Sequence, residues 1–179
     1  YTLSLHDALP KECTRLSVEG RNYGVAQASL LLTTPPTGLR ALSFRPRRAA
    51  GCAAGDYAGV SVKGAISVVD DSGCSIVDKQ DTAIAQGAVG LLVVSKATPT
   101  NPVGATPGLF TPGYYTELTI PAGVIDPAAD AALRRTNSPV TLVLDNEPVL
   151  TKSRSVIAQT KSGDSRNVII VGAHLDSVR

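Results

Sequence analysis

Val60-Ser-Val-Lys-Gly-Ala-Ile-Ser-Val-Val-Asp70 and Leu91-Leu-Val-Val94, with a helical pattern opening at Ser75 between them, decide the fold class of this chain. The first stretch is rich in β-branched residues and closes on Asp71-Ser-Gly73, as a buried strand ending in a turn does. Ser75 stands three residues before Asp78, the spacing of a capping box, in which a hydroxyl and a carboxylate satisfy free amides at a helix start. Val77, Ile84 and Ala88 fall on one face of that helix, before Gly87 and Gly90 loosen its end. Strand, helix and strand within about thirty residues make a βαβ unit, whose crossover leaves the two strands parallel. The chain reads as α/β.

Upstream, residues 21–33 read as extended, with Val25, Leu30 and Leu32 as apolar positions and a stop at Thr33-Thr-Pro-Pro-Thr-Gly38. Residues 33–59, rich in Gly, Pro and Ala, read mostly as loop, and residues 96–119 form the longest loop. Residues 120–125 resume as a strand. Asp126-Pro127 then supplies an N-cap and a first-turn proline for a helix over 128–135, and residues 140–145 are a further strand. Pro148 in Asn146-Glu-Pro148 interrupts extended chain and marks a boundary. Beyond it, residues 153–160 and 167–173 flank a polar turn as an antiparallel hairpin, and Val168-Ile-Ile-Val171 is apolar throughout, as strands covered on both faces are.

Hydrophobic residues at 43% and charged residues at 18% are ordinary for a folded soluble chain, and with no Trp and only two Phe the core is filled by aliphatic side chains. A net charge of +2, with acids and bases interspersed, gives no nucleic-acid footprint; Arg45, Arg47 and Arg48 have only Phe44 beside them and read as a solvated loop. No apolar run is long enough to cross a bilayer, and nothing in the composition speaks to oligomeric state. Residues 1–10 lack a basic segment, an apolar run and a cleavage site. They are not a signal peptide, and with no Met in the chain they read as a non-native or foreign segment, which sets His6 and Asp7 aside.

Three cysteines allow at most one internal disulfide. Cys52 and Cys74 are the natural pair, each beside a Gly and separated by a strand that returns the chain. Their bridge would contribute about 3 kcal/mol and place the protein in an oxidising compartment. The alternative is two separate buried thiols. Cys13 is left over.

Side chains at the carboxyl ends of strands in an open α/β sheet converge on the ligand crevice, and Gly172-Ala-His-Leu-Asp-Ser177 stands at such an exit. His174 and Asp176 share a face of extended chain, so the carboxylate could orient a metal-binding imidazole. Taken alone, a His near a strand end is more often a hydrogen-bonded structural residue. The string Asn167-Val-Ile-Ile-Val-Gly-Ala-His-Leu-Asp-Ser-Val178, however, closely resembles the first metal motif of the co-catalytic dizinc aminopeptidases, a family that includes bacterial leucyl aminopeptidases and related glutamate carboxypeptidases. The resemblance implies that His174 is a zinc ligand and Asp176 its support. It also implies two zinc ions per site and a peptide substrate, with the bridging Asp, the catalytic Glu and the other ligands beyond residue 179.

An independent resemblance lies upstream. Gly51-Cys-Ala-Ala-Gly-Asp-Tyr-Ala-Gly59, Val62-Lys-Gly-Ala-Ile66, Gly73-Cys-Ser75, Lys79 and Ala85-Gln-Gly-Ala-Val-Gly-Leu-Leu-Val93 look like the protease-associated (PA) domain, which many secreted aminopeptidases carry before the metal motif. Asp70-Asp-Ser-Gly-Cys74 departs from it, since many such domains have Arg-Gly ahead of the cysteine. The implied organisation is a PA domain over residues 21–146, a β-rich sheet or barrel with flanking helices, followed over 147–179 by the first β-hairpin of an α/β zinc-peptidase domain. The implied protein is secreted, and this stretch, lacking most of the site, is expected to be inactive by itself.

Other chemistries find no support. The Gly-rich stretches contain no phosphate-cradling pattern and the serines no nucleophile elbow. Asp70, Asp71, Asp78 and Asp81 read as turn and helix-start residues rather than metal ligands. The competing reading is a non-catalytic PA module for binding or gating, since subtilisin-like proteases and sorting receptors carry the same domain. Residues 172–177 distinguish the two.

Overall fold

The computed structural model describes residues 14–98, 101 and 106–145. Strand β1 (Arg15–Val18) turns into β2 (Arg21–Gln27) through Glu19 and Gly20, at φ of 48° and 79°, the left-handed pair that a tight hairpin requires. The sequence reading begins its first strand at Arg21 and misses β1, which is four residues long. It also extends β2 too far. The Gln27 carboxamide donates to the carbonyls of Ser29 and Leu32 at 3.1 and 2.9 Å, and this bends the chain out of the ladder.

Two short strands, β3 (Leu39–Ala41) and β4 (Ser43–Phe44), lie in the region expected to be loop. β5 (Ile66–Asp70) starts later than the β-branched pattern suggests, because the Ala65 amide closes a turn onto the Val62 carbonyl at 2.9 Å. Helix α1 (Ile76–Ala85) and β6 (Gly90–Val94) follow, then β7 (Ala122–Ile125), helix α2 (Pro127–Leu133) and β8 (Val140–Val143). Both caps act as expected: Ser75 and Asp78 exchange amide and side-chain bonds at 3.2 Å, and Asp126 accepts from the Ala129 amide at 2.8 Å. Each contributes about 1 kcal/mol.

The eight strands form one mixed sheet in the order β3-β8-β1-β2-β7-β6-β5-β4. β5 and β6 are parallel, as the βαβ reading requires, and β4 and β7 extend the parallel set. The strands at the two ends of this order are consecutive in the chain, joined by Leu42 alone, so the sheet curls into a near-closed barrel. Alternation along β5 and β6 sorts side chains between two cores. Val69, Leu91 and Val93 join Ile76 and Ala83 of α1, while Ile66, Val68 and Leu92 join Leu16, Leu142 and Leu133 of α2. Gly123 in β7 admits β2 closely, since a Cβ there would run into Val25.

The inward face of α1 differs from the expected one. Ile76, Lys79, Gln80 and Ala83 are buried, whereas Ile84 is 37% exposed and Ala88 lies past the helix end. Polar side chains occupy that face because both of them find backbone partners there.

Candidate functional site

Cys52 and Cys74 form a disulfide, with Cα atoms 6.0 Å apart. The loop carrying Cys52 is shaped by Asp56, whose Oδ2 accepts from the Cys52 and Ala53 amides at 2.8 and 3.1 Å. The loop carrying Cys74 is shaped by Asp70, whose Oδ1 accepts from the Ser72 amide and hydroxyl at 3.0 and 2.7 Å. Asp70 in its turn and Asp78 at the start of α1 act as the sequence suggests, whereas Asp71 accepts from the Ser95 hydroxyl at 2.7 Å, 24 residues away.

Lys79 joins the two loops. Its fully buried ammonium donates to the Ala50 carbonyl at 2.7 Å and the Ser72 carbonyl at 2.5 Å, and lies 3.7 Å from Cys52 Sγ. Burial pulls its pKa below the usual lysine value, while Asp70, Asp71, Asp56 and Asp78 oppose that shift. Gln80, next along α1, reaches the opposite loop. Its Oε1 accepts from the Thr119 and Ile120 amides at 2.6 and 3.2 Å, and its Nε2 donates to the Glu117 carbonyl at 3.3 Å. The Tyr57 hydroxyl lies 2.9 Å from Ser67 Oγ, and burial raises its pKa.

A groove of about 560 Å³ opens between residues 42–45 and residues 136–138, floored by Val68 and Leu133. Arg45, expected to be solvated, is instead folded against α2 and ion-paired with Asp130. Burial, then the like charge of Arg134, lowers the Arg45 pKa to about 10, which leaves the guanidinium charged at neutral pH. Arg134 is itself bonded through Nε to Asp130 at 3.0 Å. Nothing local in the sequence signals this pairing: the partners stand on separate elements and meet only when α2 packs on the sheet.

The predicted metal-site residues, His174 and Asp176, lie outside the described residues, as do Cys13, the boundary at 146–148 and the hairpin of 153–173. Among the described residues no three His, Cys, Asp or Glu side chains converge to hold a metal, so zinc has no donor set there. Among them, too, no helix is long and apolar enough to cross a membrane.

Comparison with known proteins places this geometry. The PA-domain family model matches residues 37–133. A Mycobacterium tuberculosis protein named "Probable lipoprotein aminopeptidase LpqL" is 35% identical over 149 residues, 82% of this chain and 29% of that protein. An aminopeptidase of Pseudomonas aeruginosa is 32% identical over 131 residues, 72% of this chain and 24% of its own length. The solved structure of BSAP, a zinc aminopeptidase from Bacillus subtilis, superposes with a TM-score of 0.55 at 24% identity, over 72% of this chain and 29% of that one. The chain thus spans less than a third of the length of each of these relatives. The family model covers more than half of the chain, and the superposed structure shares its fold: this chain belongs to the PA-domain family, and it matches zinc aminopeptidases over part of their length.

Proposed function

We propose that this chain is the PA domain, residues 21–146, and the opening of the peptidase domain, residues 147–179, of an extracytoplasmic zinc aminopeptidase that removes N-terminal residues from peptides. In this reading His174 is the first zinc ligand and Asp176 holds its imidazole in the binding tautomer. The observation that carries it is the motif Gly172-Ala-His-Leu-Asp-Ser177 downstream of a PA domain whose relatives are named aminopeptidases. The 149 residues shared with LpqL also exceed the span of the family model, so the likeness takes in sequence outside it. The Cys52–Cys74 disulfide and the lipoprotein designation of that relative support an extracytoplasmic, secreted protein.

The test is His174→Ala in a protein of the relatives' full length. Zinc content by atomic absorption and hydrolysis of leucine p-nitroanilide should both fall to background while thermal unfolding of the PA domain is unchanged. Full zinc content and activity in the variant would refute the assignment. The 179 residues alone should show no hydrolysis, since a two-metal site needs a bridging carboxylate and a general base that this motif does not supply.

The second reading, a PA module that binds or gates without chemistry of its own, is favoured by one observation. The described residues form a self-contained sheet with two cores and a groove at its surface.

A further inference from the structure

The groove lies where the barrel fails to close. β3 pairs with β8 in a register that sets Leu39 against Leu142, Arg40 against Thr141 and Ala41 against Val140. One step further the register would oppose Leu42 to Pro139, which has no amide hydrogen to give, and the ladder stops there. The next steps would oppose Ser43 to Ser138 and Phe44 to Asn137. Those residues instead form the two banks of the 560 Å³ groove. β4 is therefore paired only with β5, and its other edge faces this open seam.

Three features of the seam select an occupant. Its floor is apolar, made by Val68 and Leu133, and Leu42 and Phe44 on the bank are 38% and 40% exposed, large apolar surfaces with nothing over them among the described residues. Its backbone edge, like any terminal strand, offers hydrogen bonds to an added strand. Its charge is positive, because Arg45 and Arg134 share the single carboxylate of Asp130. Arg134 spends only its Nε on that bond and is 57% exposed, which leaves both terminal nitrogens of a planar fork to donate to a second carboxylate.

We propose that the open seam between β4 and residues 136–138 is a docking site for the carboxyl-terminal end of a peptide. The peptide adds as a short strand along β4, seats an apolar final side chain over Val68 and Leu133, and places its terminal carboxylate on Arg134. Charge complementarity selects the carboxylate, and the shortness of β4, two residues, suits a chain end better than a continuous segment. This inference rests on the geometry of the PA fold and is independent of whether His174 binds zinc.

The experiment is fluorescence polarisation with the 179-residue chain and the probe fluorescein-Gly-Val-Thr-Val-Leu, as the free acid and as the carboxyl-terminal amide. The free acid should bind saturably, with binding weakened by salt, and the amide about tenfold or more worse, the scale of a lost charge-assisted fork. Arg134→Gln should reduce acid binding to the level of the amide while leaving amide binding unchanged. Because Arg134 is exposed that variant should fold, and its urea midpoint verifies this. Ser43→Pro, which blocks the strand edge, should abolish both, and its urea midpoint verifies that it folds. Equal affinity for acid and amide, undiminished acid binding by Arg134→Gln, undiminished binding by folded Ser43→Pro, or absence of saturable binding because another segment or a second copy of the chain fills the seam would each overturn the proposal.

Discussion

Lys79 Nζ lies 3.7 Å from Cys52 Sγ, so a buried ammonium stands against the disulfide and ties both of its loops to one turn of α1. The same ammonium holds the carbonyls of Ala50 and Ser72, and so bridges the two loops; the Ser72 carbonyl also accepts from the Cys74 amide at 3.2 Å.

Lys79→Met retains most of the side-chain volume and removes those donors. The Ala50 carbonyl then loses its donor while that of Ser72 keeps the Cys74 amide, which should cost about 1–2 kcal/mol, partly offset because no charge is then desolvated. The urea midpoint should fall while the slope stays constant. An unchanged midpoint would show that burial of the charge cancels its hydrogen bonds.

The disulfide closes a loop with a sequence separation of 22 residues. Cys52→Ser with Cys74→Ser should therefore destabilise the domain by about 3 kcal/mol through the unfolded state. If the double variant unfolds at the same urea concentration as the parent, that contribution is absent.

Gln80→Leu removes the acceptor for the Thr119 and Ile120 amides and the donor to Glu117. A loss of about 2 kcal/mol is expected, with faster proteolytic cleavage between residues 106 and 121. Amide exchange at Thr119 and Ile120 as slow as in the parent would contradict this.

Burial raises the pKa of Tyr57 and Tyr114 above 10.0. A raised folded-state value means that the native protein holds these protons longer. The associated stability is complete below the unfolded tyrosine pKa near 10 and is lost as pH rises through the folded values. Absorbance at 295 nm should show a late tyrosinate transition that shrinks in Tyr57→Phe and again in Tyr114→Phe. A late transition of full amplitude in both variants would exclude it.

The parts of this protein legible from its sequence are those whose cause is local. Ser75 finds Asp78 three residues away, Asp126 finds the Ala129 amide, and the apolar runs of β5 and β6 flank a helix long enough to serve as the crossover that parallel strands need. The PA resemblance belongs to the same category, since its glycines and cysteines stand in recognisable local strings. His174 and Asp176 were legible too as a motif, and their role stays a proposal because they lie outside the described residues.

The sequence by itself thus determined the βαβ unit, both helix caps and the family, and it named Cys52 and Cys74 as the natural pair, which the structure joins. Tertiary structure alone decided that β1, β3 and β4 exist, that α1 turns Lys79 and Gln80 inward, and that Arg45 abandons solvent for Asp130. The physical reason is the separation of the partners. Lys79 meets Ala50 across 29 residues and Gln80 meets Thr119 across 39, and a polar side chain is stable in a core only once the carbonyls and amides that satisfy it have been brought there by the rest of the fold.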